Sequence, residues 1–342
     1  MKEFLVTLAN GQDLTETMAQ EAMHQMMSGQ ASAVHMASYL SLLHAKGETV
    51  EELLGSVRAM RDHAVAFPSY TVDAIDTCGT GGDHSGTFNI STAASFVLAA
   101  GGQHVVKHGN RASSSQTGSA DVLQALDIPL DLEPEMAKVA LEETGFCFLF
   151  AQAYHPAMKH VGPIRKELGF RTMFNVLGPL TNPARPRVQV LGTPSLSIAK
   201  KMAYVLSKLN MEHALVLHAA DGLDELSTAA PTYIFEVLGD RVESYTLTPH
   251  DFGLPFHDLA TIQGGHAAHN AEILRRVFAG EKGAMRDVVV MNAAAGFYAT
   301  GAVSSFLQGA RRAEQLIDQG LVQQKLHEVS SFRRRAMEGM LA

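Results

Sequence analysis

The sequence predicts an α/β protein in two parts: a small all-helical domain over residues 1–68, and a larger domain over 69–342 with a central mixed, mainly parallel β-sheet surrounded by helices. Three observations carry that reading. Residues 1–65 repeat apolar side chains at helical spacing, after Pro68 short apolar runs lead into glycine loops and alanine-rich helices, and two later runs flank Gly239-Asp240. Alternation of strand, loop and helix is the rhythm of parallel sheets, and the Gly-Asp pair marks a hairpin that adds antiparallel strands.

In the helical part, Met18, Ala22 and Met26 recur on one face, Gly29 breaks the run, and Val34, Ala37, Leu40 and Leu43 resume it before Gly47. Thr49-x-x-Glu52 is a capping box opening onto Leu53, Leu54, Val57 and Met60. Beyond Pro68 the expected strands are 72–75, 104–107, 147–150, 188–191 and 214–217, with helices over 92–100, 120–126 and 198–209. Residues 232–237 and 241–247 form the hairpin, and the chain from Ala284 onward reads as helices. The sixteen methionines are mostly core filling.

A chain of 342 residues with 46% apolar and 18% charged composition can bury a full core. Its net charge of -8 argues against a nonspecific nucleic-acid binder, whose footprint is basic. The two cysteines, Cys78 and Cys147, leave no disulfide framework or cysteine zinc site and suit a reducing cytoplasm. No apolar run is long enough for a membrane span, and the N-terminus lacks a leader's continuous apolar core.

Three loops between Cys78 and Ser119 narrow the chemistry: CGTGGDHSGTFNIST, KHGNRASSS and GSADV. Each joins small residues and free backbone N–H groups to an expected helix start, an arrangement that binds phosphate. The first fails as a P-loop because Thr87, not Lys, follows Gly86, and fails as a dinucleotide fingerprint because His84 stands where a glycine is needed. A tight turn capped by Ser91, with no ligand, satisfies the same residues. The second loop adds a cation, Lys107, before the hydroxyls of Ser113, Ser114 and Ser115; His108 by itself is as readily a structural hydrogen-bonding residue.

Two further segments matter. Asp224 and Glu225 in DGLDELS offer hard oxygen ligands suited to magnesium, although a solvated acidic turn has the same composition. In RKELGFRTMFNVLGPLTNP, from Arg165 to Pro183, glycines and prolines interrupt a helical pattern and suggest a connector. Arg165 could pair with a substrate carboxylate, or with a surface acid. His266 and His269 show no metal pattern.

Taken together, GTGGD, NIST, KHGNRASSS, GSADVLQAL, the Arg165–Pro183 segment and GLDELS resemble the anthranilate phosphoribosyltransferase family of tryptophan synthesis. The resemblance runs from the N-terminal helices to NAAAGFYATG. It implies a fold shared with pyrimidine nucleoside phosphorylases, a site between the domains, residues 165–185 returning to the small domain, and a cytoplasmic homodimer formed through the helices. It also implies that anthranilate synthase, where it associates, is a separate chain.

By the same resemblance, phosphoribosyl pyrophosphate would contact Gly79, Gly82, Asp83, Thr87, Asn89, Ile90, Ser91 and Thr92, then Lys107, His108, Gly109, Asn110, Arg111, Ala112, Ser113, Ser114, Ser115 and Ser119. Ser91 and Glu225 would hold one magnesium ion, and Asp224 with Glu225 a second. Anthranilate would meet Gly79, Asn110 and Arg165. Lys107 and His108 are the candidate catalytic residues. The chain departs from the family pattern at Asp127 (Gly), Gln152 (Pro), Tyr154 (His) and around His266 and His269. Rival readings are a phosphorylase, disfavoured by KHGNR and GLDELS, and a nucleic-acid-binding relative, disfavoured by the acidic balance and the intact Asp224-Glu225 pair.

Overall fold

The computed structural model describes residues 1–112 and 116–340. Its N-terminal helices are α1 (Lys2–Ala9), α2 (Glu16–Met27), α3 (Ala33–Lys46) and α4 (Val50–Asp62). The capping box forms as expected: Glu52 N–H donates to Thr49 Oγ1 and Thr49 N–H to Glu52 Oε2. Glu52 is buried, and its carboxylate also accepts from Leu14 N–H at 2.9 Å and from Lys46 Nζ at 3.0 Å, so one acid ties α4 to the end of α3 and to the loop before α2. The cap is thereby a tertiary element as well as a local one.

The second part runs β1 (Ala74–Gly79), α5 (Ile90–Ala100), β2 (His104–Gly109), α6 (Ser119–Ala125), α7 (Pro134–Thr144), β3 (Phe146–Phe150), α8 (Ala151–Tyr154), α9 (Gly162–Leu168), α10 (Phe174–Leu177), β4 (Val188–Gly192), α11 (Leu196–Ser207) and β5 (His213–Ala219). The hairpin β6 (Thr232–Leu238) and β7 (Arg241–Leu247) and helices α12 (Ala267–Phe278), α13 (Ala284–Ala299), α14 (Phe306–Asp318) and α15 (Leu321–Met340) complete it. The sheet order is β3-β2-β1-β4-β5-β6-β7, parallel through β5 and antiparallel for the last two strands. The expected strand at 72–75 begins instead at Ala74 and extends through Cys78 into Gly79, because pairing with all of β4 continues that far. The segment 134–144, not singled out in the sequence, is helical from its Pro134 start to the left-handed Gly145 stop.

Two large apolar cores divide the sheet. On one face α5 and α12 to α15 pack against β1 to β5 through residues such as Phe96, Val97 and Phe278. On the other, Leu191 and Val216 meet α11 and the helical domain, and Met173, Phe174 and Leu177 from the connector join that same cluster, with Val161 just before it. The connector is therefore packed with the helices while its next residues re-enter the sheet. Asn182 makes that re-entry specific, donating to Asp76 Oδ2 at 2.9 Å on β1 and to the Val106 carbonyl at 2.8 Å on β2.

The strand order reverses at β1: successive units run outward through β2 and β3, then restart on its other side with β4. In open α/β sheets ligands bind outside the strand C-termini at such a reversal. The loops after β1, β2 and β5 all converge there.

Candidate active site

A cavity of 310 Å³ lies at the C-terminal ends of β1 and β2, floored by Lys107 and walled by the loop 79–92, residues 107–112 and the Asp224-Glu225 turn. A larger cavity of 1120 Å³ touches the starts of strands, at Ala74, Val188 and His213, and so lies at the opposite end of the sheet. The smaller one combines the glycine-loop backbone and the α5 N-terminus with Lys107, the arrangement that phosphate binding uses.

Glycines shape the first loop where the backbone requires them. Gly81 and Gly82 adopt φ +67° and +81°, and a Cβ on Gly79 would lie 2.4 Å from Asp224 Oδ2. Gly192, at the end of β4, is equally constrained: a Cβ there would sit 1.5 Å from the Asp224 carbonyl oxygen. Gly192→Ala must displace the acidic turn, and we expect kcat/KM to fall at least about tenfold, since small misplacements of binding groups cost that much or more. Steady-state kinetics with unchanged far-UV circular dichroism would establish it.

Ser91 does not cap the helix as the bare-turn reading requires. The N-cap position of α5 is Asn89, without a side-chain cap bond, and Ser91 lies in the first turn. Its N–H donates to Glu225 Oε1 at 3.1 Å, and its hydroxyl accepts from Lys107 Nζ at 3.3 Å. Asn89 is a spacer between loops: its Nδ2 donates to the Thr117 carbonyl at 3.1 Å, and its Oδ1 accepts from Asn270 Nδ2 at 2.9 Å.

Lys107 is buried, and its ammonium also donates to the Thr77 carbonyl. Burial lowers its pKa, opposed by the negative fields of Asp76, Cys78 and Glu225. Asp76 beneath it is also buried, accepting from Asn182, from His108 N–H at 3.3 Å and from the Cys78 thiol; burial raises its pKa and Lys107 draws it back. Asp224 accepts from Gly81 N–H at 2.8 Å, and its own N–H reaches Asp83 Oδ2 at 3.5 Å. Burial and then Asp83 push the Asp224 carboxyl well above the ordinary range; burial and then Asp224 do the same to Glu225.

These three acids crowd one wall, with Lys107 offsetting the charge of Glu225 only in part and no ion pair to any of the three among the described residues, which is the electrostatic condition a divalent ion relieves. Among the described residues no three His, Cys, Asp or Glu side chains form a ready metal cage. Two carboxylates open to a phosphate cradle nevertheless fit magnesium, which takes few protein ligands and completes its shell with phosphate and water.

Arg111 is occupied within the fold, pairing with Asp121 at 2.8 Å and Gln124 at 2.9 Å. Asp121 in turn accepts from Ala112 and Gly118 N–H, so the second loop closes on α6. Asn110 Oδ1 accepts from Arg111 N–H and, at 3.3 Å, from Gln152 Nε2. His108 is buried; burial and then His155, ring to ring at 5.2 Å, push its pKa down to about 3. It is neutral near pH 7 and supplies no charge to a phosphate. Its Nε2 and that of His155 have no hydrogen-bond partner among the described residues.

Every predicted donor-site residue within the described chain lines the cavity; Ser113, Ser114 and Ser115 lie outside the described residues. Arg165 is not on its wall. It stands on α9 with its guanidinium 5.3 Å from the Phe174 ring centroid, and burial lowers its pKa. Sequence reasoning missed Arg171, Asn175 and Gly265 on the wall, and His155 and Asn270 behind it. The Gly264-Gly265 pair was a usable signal, since a Cβ on Gly264 would strike the Phe88 backbone at 2.7 Å. Asp127, where the resemblance leads one to expect glycine, takes a left-handed φ of +61°, a conformation that glycine adopts freely.

A helical bundle joined to an α/β sheet with a phosphate cradle at its strand reversal defines the two-domain glycosyl transferases. Their helical bundle domain matches residues 2–64 and their a/b domain residues 71–323. An anthranilate phosphoribosyltransferase of Symbiobacterium thermophilum is 46% identical over 335 residues, spanning 98% of each chain. The crystal structure of the Thermus thermophilus enzyme of that name superposes with a TM-score of 0.92 at 41% identity, covering 97% of this chain and 99% of that one. A Saccharomyces cerevisiae counterpart, in complex with PRPP and Mg, gives 0.89 at 26% identity over 96% of each. The chain belongs to the anthranilate phosphoribosyltransferase family.

Proposed function

We propose that the chain transfers the phosphoribosyl group of phosphoribosyl pyrophosphate to the amine of anthranilate, releasing pyrophosphate, in tryptophan biosynthesis. The observation that carries this is the cradle itself: loop amides at the α5 start, Lys107 beneath, and Asp224 with Glu225 held above the ordinary carboxylate range at its wall. A phosphorylase working on inorganic phosphate has less use for that acidic turn. The S. cerevisiae relative's complex with PRPP and Mg supports the donor assignment.

In the reaction the bond from C1 to the pyrophosphate oxygen breaks, the amine nitrogen bonds to C1, and the amine proton leaves to solvent. The leaving group's charge is the main demand. The 79–82 backbone and the α5 N-terminus bind its oxygens, and Lys107 holds positive charge below them. Ser91, Asp224 and Glu225 would hold magnesium, two ions in this reading, which would supply countercharge to the pyrophosphate. His108, held neutral, orients rather than ionises, and the neutral aromatic amine needs positioning more than deprotonation. Asn110 and Gly79 border the acceptor, and Arg165, with no carboxylate within ion-pair distance among the described residues, takes its carboxylate.

We therefore expect Arg165→Ala to raise KM for anthranilate roughly tenfold to a hundredfold, the worth of a lost charge-assisted pair, with KM for phosphoribosyl pyrophosphate changed little. Equal damage to both constants would remove Arg165 from the acceptor site. Domain limits of 1–68 and 69–342, with about 165–185 joining the small domain, are supported by the connector side chains packed in the helical core. Exposed Val6 on α1 and Val34 on α3 support a homodimer through the helices. Both cysteines are free and buried, which suits the cytoplasm.

A further inference from the structure

We propose that Arg171 is a positioning residue for the donor substrate, clamping the Gly81-Gly82 backbone in its phosphate-binding form and tying that loop to the connector; the inference rests on the donor assignment above. Its Nη1 donates to the Gly82 carbonyl at 3.1 Å and its Nη2 to the Gly81 carbonyl at 3.2 Å. The fit is close enough that a Cβ on Gly82 would overlap Nη1, at 1.6 Å.

Both glycines are left-handed, a conformation that glycine occupies freely but does not hold unaided. The structure fixes it from two sides. Asp224 Oδ2 accepts the Gly81 N–H, and Arg171 takes the two carbonyl oxygens. Those oxygens would otherwise repel a pyrophosphate, and one cation masks both. Arg171 also lines the cradle, and it has no carboxylate within ion-pair distance among the described residues, whereas Arg111 is paired with Asp121. Its positive charge is left over for an anionic ligand.

The anchor of the clamp lies elsewhere. Arg171 follows Gly169, whose left-handed φ of +69° ends α9, and it precedes Met173 and Phe174, both buried in the helical-domain core. Thr172 N–H donates to Asn175 Oδ1 at 2.9 Å, fixing the turn from which Arg171 extends. The side chain thus links the stretch that carries Arg165 on α9 to the loop that receives the donor.

The test uses the full chain with magnesium and two variants, Arg171→Ala and Arg171→Lys, the latter able to reach one carbonyl at a time. Hydrogen exchange of the free protein should speed up at least about tenfold at residues 80–83 in Arg171→Ala, with β1 and β2 unchanged. KM for phosphoribosyl pyrophosphate should rise at least about tenfold, in keeping with lost hydrogen bonds to a charged group, and Arg171→Lys should recover part of both effects. Wild-type exchange and wild-type KM in either variant would overturn the inference. A wild-type protein that binds phosphoribosyl pyrophosphate but does not transfer to anthranilate would instead defeat the acceptor assignment and leave the clamp standing.

Discussion

Glu225→Gln is expected to lower kcat/KM at least about a hundredfold while making the metal-free protein more stable. The activity loss follows from removing a metal-binding charge at the developing pyrophosphate, where preorganised electrostatics carry catalysis. The stability gain follows from burial of the Asp224 and Glu225 carboxyls, reinforced by Asp83 acting on Asp224 and by Asp224 acting on Glu225, which together raise both pKa values above their ordinary ranges. An acid with a raised folded-state pKa favours the fold fully below its ordinary pKa, and that contribution is lost as pH rises through the folded value. Metal-free wild-type protein should accordingly lose stability as pH climbs from the ordinary carboxylate range toward and past neutrality. The variant should show a shallower slope, and magnesium with pyrophosphate should flatten the wild-type curve. Thermal melting across pH, with and without magnesium pyrophosphate, reads all three. A Glu225→Gln protein less stable than wild type without metal would contradict the account.

Lys107→Met should be the most destabilising change at the site, by about 3 to 5 kcal/mol, because it leaves Asp76 buried without its compensating charge. Asp76 is held there by Asn182, Cys78 and the His108 amide, none of which carries a positive charge. Adding Asp76→Asn should recover part of the loss, since a neutral amide needs no countercharge. Urea unfolding of the two single variants and the double variant gives the coupling. Strict additivity would mean that Lys107 and Asp76 do not sense each other.

What the sequence disclosed was local. The Thr49 capping box, the hairpin around Gly239-Asp240 and the strand-loop-helix units can each be read within a short window, and each forms. The three loops and the Asp224-Glu225 turn are legible because phosphate and magnesium chemistry demand residue types that stand out. The remainder depends on which distant segments meet. Nothing around Gly192 announces that the Asp224 backbone passes against it, or that Asn270 will brace Asn89 across 181 positions of chain. His155 becomes interpretable only when β2 and the segment after β3 bring it against His108. Arg171 reads as one more charge in a connector until the fold supplies its two carbonyl partners on the first loop. Conversely, Arg111 and His108 read as phosphate ligands in sequence, yet the fold pairs one internally and holds the other neutral.

The central claim is the two-substrate reaction, and it is tested most directly by mixing the purified protein with magnesium, phosphoribosyl pyrophosphate and anthranilate and following anthranilate fluorescence. The account predicts loss of the signal only when all components are present, with pyrophosphate released in equal amount. Unchanged fluorescence at saturating concentrations of both substrates would contradict it.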